Sequence, residues 1–161
     1  MKIFKVFIIV TFSLFFISTE CYGCGKLRLM AAHAQKTLPG YKGSEIVEKY
    51  TFICKKSALV DVNITGLWQG SEKKGRLLDY KIMKYDGEKV TDEELKSLRG
   101  VKLFAIVAVY KYPAEHIVNK SEDSCPIGNF NGKAIIVYLK NEHKKYLKVS
   151  GFDSEETIRR R

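Results

Sequence analysis

The sequence predicts a mainly β domain, a small barrel or sandwich, with two or three helices packed against it. Three observations carry this reading. Apolar and polar residues alternate with period two through residues 60–65 and 78–82, the mark of a strand with one buried face. Residues 101–110 are apolar on both faces apart from Lys102, as in a central strand covered on two sides. Residues 134–139 and 146–149 form a further pair of short strands, joined by a polar turn around Asn141-Glu142-His143. A chain of 161 residues, 45% hydrophobic and 29% charged, has enough apolar material for one core. That balance excludes a disordered or collagen-like polymer.

The elements follow in chain order. Lys2 and Lys5 flank the start of a 12-residue apolar run, residues 6–17. A bilayer span needs roughly 20 such residues, so the pattern fits a secretory signal peptide rather than an anchor. Cys21-Tyr22-Gly23 offers small residues at the last and third-from-last positions before a cut; a cut after Thr19 satisfies the rule less well. Residues 1–23 are therefore expected to be a leader, and residues 24–161 a single domain beginning at Cys24. No second apolar run follows and the sequence closes on Arg159-Arg160-Arg161, so a secreted product without a membrane span or lipid anchor is expected.

Secretion changes how the four cysteines read, because disulfides persist in an oxidising compartment. Cys21, Cys24, Cys54 and Cys125 allow three pairings if all survive; a cut after Gly23 leaves an odd three. Cys21-x-x-Cys24 lacks the strand-then-helix context of a redox motif, and no second ligand pair supports zinc.

Leu27, Met30, Ala31, Ala34 and Leu38 fall on one helical stripe stopped by Pro39-Gly40, which predicts a first helix. Residues 44–50 are a second helical candidate. Thr91 and Glu94 have capping-box spacing, with Gly100 placed to end a helix over Leu95 and Leu98. Two sequons, Asn63-Ile-Thr65 and Asn119-Lys-Ser121, are expected to carry glycans. Asn63 lies on the wet side of the strand formed by Val60, Val62 and Ile64. Asn119 lies in a polar loop.

Catalytic chemistry is sparse. His33, His116 and His143 are scattered, with His33 on the polar side of its predicted helix, and none belongs to a metal-ligand pair. A nucleophile elbow and a phosphate loop are both missing, and Glu93-Glu94 and Glu155-Glu156 are adjacent pairs whose side chains diverge. An enzyme is not expected, nor a cofactor. The excess of 28 Lys and Arg over 18 Asp and Glu, a formal charge of +10, points to an anionic partner or a solvated lysine-rich surface. For a secreted chain, sulfated glycans fit better than nucleic acid.

Several of these segments resemble the netrin-like module in order and spacing. Cys54, the strand through Val60, Val62 and Ile64, and Gly66 match its first strand pattern. Residues 79–87, ending Tyr85-Asp86-Gly87, are similar to its basic-aromatic corner. Tyr112-Pro113-Ala114, the loop cysteine Cys125, and Tyr146-Leu147-Lys148-Val149-Ser150-Gly151 complete the series. The last is similar to a strand in the N-terminal domain of the tissue inhibitors of metalloproteinases.

The resemblance spans residues 50–151 and implies an OB-type five-stranded Greek-key barrel with flanking helices. It also implies a monomeric inhibitor of an extracellular zinc metalloproteinase. In that family the α-amine and carbonyl of an N-terminal cysteine occupy the open position on the protease zinc. Here the chelating wedge would be Cys24 and Gly25, held by a Cys24–Cys125 disulfide. The chain departs from the family in having Cys21-x-x-Cys24 for C-x-C, and a Gly25 with no side chain for the specificity pocket. The other function the resemblance allows is a netrin-like binding module that engages an anionic glycan or another extracellular protein through its basic surface.

Overall fold

The computed structural model describes residues 26–41, 44–57, 59–71, 74–84, 98, 100–113, 125–127 and 130–159. The expected leader, Cys24 and Gly25, and most of the predicted helix over Leu95 lie outside them.

Nine strands and no helix form among the described residues: β1 Arg28–Leu38, β2 Glu45–Lys55, β3 Asn63–Ser71, β4 Lys74–Leu77, β5 Tyr80–Lys84, β6 Leu103–Pro113, β7 Ala134–Lys140, β8 His143–Val149 and β9 Ser154–Arg159. They make two sheets, neither of them closed, ordered β5-β6-β2-β1-β9 and β4-β3-β7-β8. All neighbours run antiparallel except β1 and β9, which are parallel. The mainly β expectation holds.

Two predicted helices are strands instead. The stripe from Leu27 to Leu38 is β1, and residues 44–50 enter β2. β2 is paired along both sides, by β1 and β6, and β1 is paired by β2 on one side and by β9 from His33 to Leu38 on the other. Pairing of the backbone on two edges overrides a helical pattern in the side chains. His33 accordingly lies on a strand, its Nδ1 2.8 Å from Ser154 Oγ.

One face of each sheet feeds the main core. Phe52, Phe104 and Ile106 from the first sheet meet Ile64, Leu67, Ile136 and Val149 from the second, each nearly or wholly buried. Val60, Val62, Ile64, Leu78, Tyr80 and Ile82 all join this core, as their alternation predicts. A bulge at Thr65 lets Ile64 and Leu67, three residues apart, face the same way.

A smaller cluster of Trp68, Phe130, Ile135 and Val137 sits on the other face of the second sheet. Trp68 and Phe130 meet edge to face at 5.9 Å. The strand buried on both faces is therefore β7. β6, expected in that role, buries Phe104, Ile106 and Ala108 but leaves Val109 half exposed. The β7–β8 hairpin turns as expected at Asn141 and Glu142, both at positive φ (49° and 65°), the backbone of a two-residue type I′ turn.

Candidate functional site

Of the expected site residues, Cys24, Gly25 and Asn119 fall outside the described residues, and the Cys24–Cys125 pairing with them. Cys125 is a half-buried free thiol packed on the Trp68 cluster, its Sγ donating to the Ile127 carbonyl at 2.9 Å. Cys54 is free and wholly buried, and burial pushes its thiol up to about 12. Asn63 opens β3 opposite Leu139, half-buried between the buried Val62 and Ile64.

β8, an edge strand, carries Lys144, Lys145 and Lys148, and its residues 143–146 and 148 are exposed. Tyr146 lies opposite Val137 and Lys148 opposite Ile135, both of which face the outer cluster. Cross-strand partners share a face. Lys144, Tyr146 and Lys148 therefore line the outer side of the edge, with the Lys144 ammonium 5.9 Å from the Tyr146 ring centre. Leu147, between them, turns to the main core.

A second polar centre was not visible in the sequence. On β2 the residues facing the core run Tyr50, Phe52 and Cys54, and Glu48 continues that face inward. Glu48 Oε2 accepts from the Tyr50 hydroxyl at 2.8 Å and from Arg76, while Oε1 accepts from Tyr112 at 2.9 Å and faces Lys36 at 3.8 Å. Arg76, on β4, is 7% exposed, and its guanidinium carbon lies over the Tyr110 ring, 3.7 Å from its centre. Burial pushes the Glu48 carboxyl up. The hydrogen bonds from Tyr50 and Tyr112 and the charge of Arg76 outweigh it and hold the group below its ordinary value. The same burial and the neighbouring Glu48 carboxylate raise Tyr50, so its hydroxyl stays a donor.

Beside this centre opens a cleft of about 220 Å³. Glu48, Tyr50 and Lys36 line one side, Glu155 and Thr157 of β9 the other, with Lys133 and Phe152 at its end. Phe152 stacks on Tyr50 at 5.7 Å and leans on Phe52 at 6.1 Å. Lys133 N–H donates to Val149 O, so the cleft adjoins the end of β8. Among the described residues no group of His, Cys, Asp and Glu is arranged to hold a metal ion, and no helix is long and apolar enough to cross a membrane.

Fold and site together define an open two-sheet β protein with a basic edge strand and a polar cleft. No family model, curated protein or solved structure matches the chain.

Proposed function

We propose that this chain is a secreted, netrin-like binding module that engages an anionic glycan along β8. The observation that carries the reading is the outward row Lys144, Tyr146 and Lys148 on an exposed edge strand. Two lysines four residues apart in a strand stand about 13 Å from one another, with an aromatic face between them. Lysines also guard an edge against pairing with another strand. The intervening tyrosine adds a surface on which a sugar ring can rest. The barrel ancestry implied by the resemblance is supported by the approach of β8 to β1 and by the Leu78 N–H bond to Leu67 O, which ties the entry of β5 to β3.

The test is elution from immobilised heparin. Lys144→Ala with Lys148→Ala should elute at clearly lower salt than Lys49→Ala with Lys81→Ala, which removes the same charge from another surface. Equal elution of the two pairs would leave net charge as the whole explanation and reject the site.

A metalloproteinase-inhibitor reading is favoured by one feature, the half-buried Cys125 thiol just ahead of β7, where the resemblance places the partner of Cys24. In that reading the Cys24 α-amine engages the protease zinc. One alanine added ahead of Cys24 should abolish inhibition, as should Cys125→Ser, and Gly25→Thr should strengthen it. No inhibition by the unaltered secreted protein rejects it.

A further inference from the structure

We propose that the cleft between β1, β2 and β9 binds one uncharged sugar ring, as a second subsite of the glycan-binding module on whose reading this inference rests. The charges around the cleft decide the ligand class. Lys36 and Lys133 stand against Glu48 and Glu155, Arg76 lies directly behind Glu48, and Glu156 turns with its partner Gln35 to the other face of the sheet. Two lining cations meet two lining anions, and even with Arg76 included the cleft carries only about one net positive charge in a chain of formal charge +10. An anion gains little there.

What the cleft offers instead is a dense set of donors and acceptors. Glu48 is saturated by Tyr50, Tyr112 and Arg76 and acts as a rigid floor. The Lys133 ammonium and the Glu155 carboxylate make no hydrogen bond or ion pair among the described residues and both line the opening, one a donor and the other an acceptor. Hydroxyls that meet such groups make charge-assisted hydrogen bonds without carrying charge themselves. Phe152, half-buried and braced by Tyr50, supplies the apolar surface that a ring needs on one face. A volume of about 220 Å³ falls below the range for drug-sized ligands and suits a single small ring. Because Lys133 bonds to the last residue of β8, a chain lying along that strand has a route into the cleft.

The experiment is an amide chemical-shift titration of the isotopically labelled secreted protein with galactose, mannose and N-acetylglucosamine, and with glycine as a small zwitterion. At least one sugar should shift the amides of Lys133, Phe152 and Glu155 saturably. The dissociation constant should be roughly millimolar, as fits a ligand of about a dozen heavy atoms. The affinity should hold from about 50 to about 500 mM salt, because no net charge is neutralised. Lys133→Ala and Glu155→Gln, both at exposed side chains, should each weaken it about tenfold while the rest of the spectrum stays in place.

Saturable binding of glycine in preference to every sugar would overturn the proposal. So would the lack of any saturable shift, or equal affinity in both variants. The two subsites fail separately: the Lys144 and Lys148 substitutions should leave the monosaccharide titration unchanged. Loss of the cleft response with retained heparin binding would remove the cleft alone.

Discussion

Removing the Glu48 carboxylate should cost the fold more than any other single surface or half-surface charge described above. Glu48→Ala leaves Arg76, 7% exposed, with a buried positive charge and no counter-ion, and deprives the Tyr50 and Tyr112 hydroxyls of their acceptor. Breaking one side of a buried pair costs about 3–5 kcal/mol, a large share of a total stability of roughly 5–15 kcal/mol. At a urea dependence of roughly 2 kcal/mol per molar, the unfolding midpoint should fall by about 2 M. Replacing both charges, Glu48→Leu with Arg76→Met, strands neither and should cost less than Glu48→Ala alone. Acid supplies an independent check. The folded carboxyl titrates below its ordinary value of 4.5, so its contribution is complete above that pH and is lost as pH falls through the lower, folded value. Unfolding curves of the unaltered chain and of Glu48→Gln should therefore separate at neutral pH and converge as the pH falls below the folded value. A cost under about 1 kcal/mol for Glu48→Ala, the range of exposed ion pairs, would refute the reasoning. A gap between the curves that keeps its size into acid would do the same.

Gly75→Ala places a Cβ 2.0 Å from the Trp68 ring, so the indole must leave its seat. Overpacking of this kind costs roughly 1–3 kcal/mol, and because the chain holds one tryptophan, the emission of Trp68 should shift to the red. Unchanged emission and stability would show that the ring has room. Cys54, whose thiol is raised to about 12, should resist alkylation at about pH 8 in the folded protein and react only on unfolding, while Cys125 reacts in the native state. Peptide mapping distinguishes the two, and rapid native labelling of Cys54 would contradict its burial. Asn63 should carry a glycan when the chain is secreted by a eukaryotic cell, and Asn63→Gln should remove one glycosidase-sensitive step in gel mobility; identical mobilities would exclude it.

The strands that the sequence shows most openly are those with unbroken period two or a tight turn, such as β5 and the β7–β8 hairpin. β1 was hidden by its own irregularity. A bulge at Met30 sets Leu29 opposite Cys54 and Ala31 opposite Ile53, so the inward residues become Leu29, Ala32 and Ala34. A slip from two-residue to three-residue spacing imitates a helical stripe. β2 was hidden by chemistry. Its inward face carries the charge of Glu48 where an alternating strand would show an apolar residue, and Ile46, Val47 and Tyr50 then read as helical neighbours.

The polar centre had no chance of being read from spacing. Arg76 and Tyr112 reach Glu48 across 28 and 64 residues, and only pairing of β2 with β6 and contact between the sheets unites them. The basic character of β8 was legible as Lys144-Lys145. Its outward row of Lys144, Tyr146 and Lys148 needed the register of β7.

The parallel pairing of β1 with β9 bears on how the chain reaches this state. Asp153 accepts from the Ala32 amide at 2.6 Å and returns a hydrogen bond to the Ala32 carbonyl at 2.7 Å, across a separation of 121 residues. During synthesis, β1 can zip onto β2 almost at once, yet its other edge stays unpaired until β9 emerges. For that interval a row of open amides and carbonyls offers itself to any extended segment, its own or a neighbour's. Closing so long a loop is slow, on the scale of milliseconds to seconds for β topologies of this kind. Folding yield should thus depend on how quickly residues 153–159 arrive, and a chaperone that shields β1 would have its greatest effect before they do.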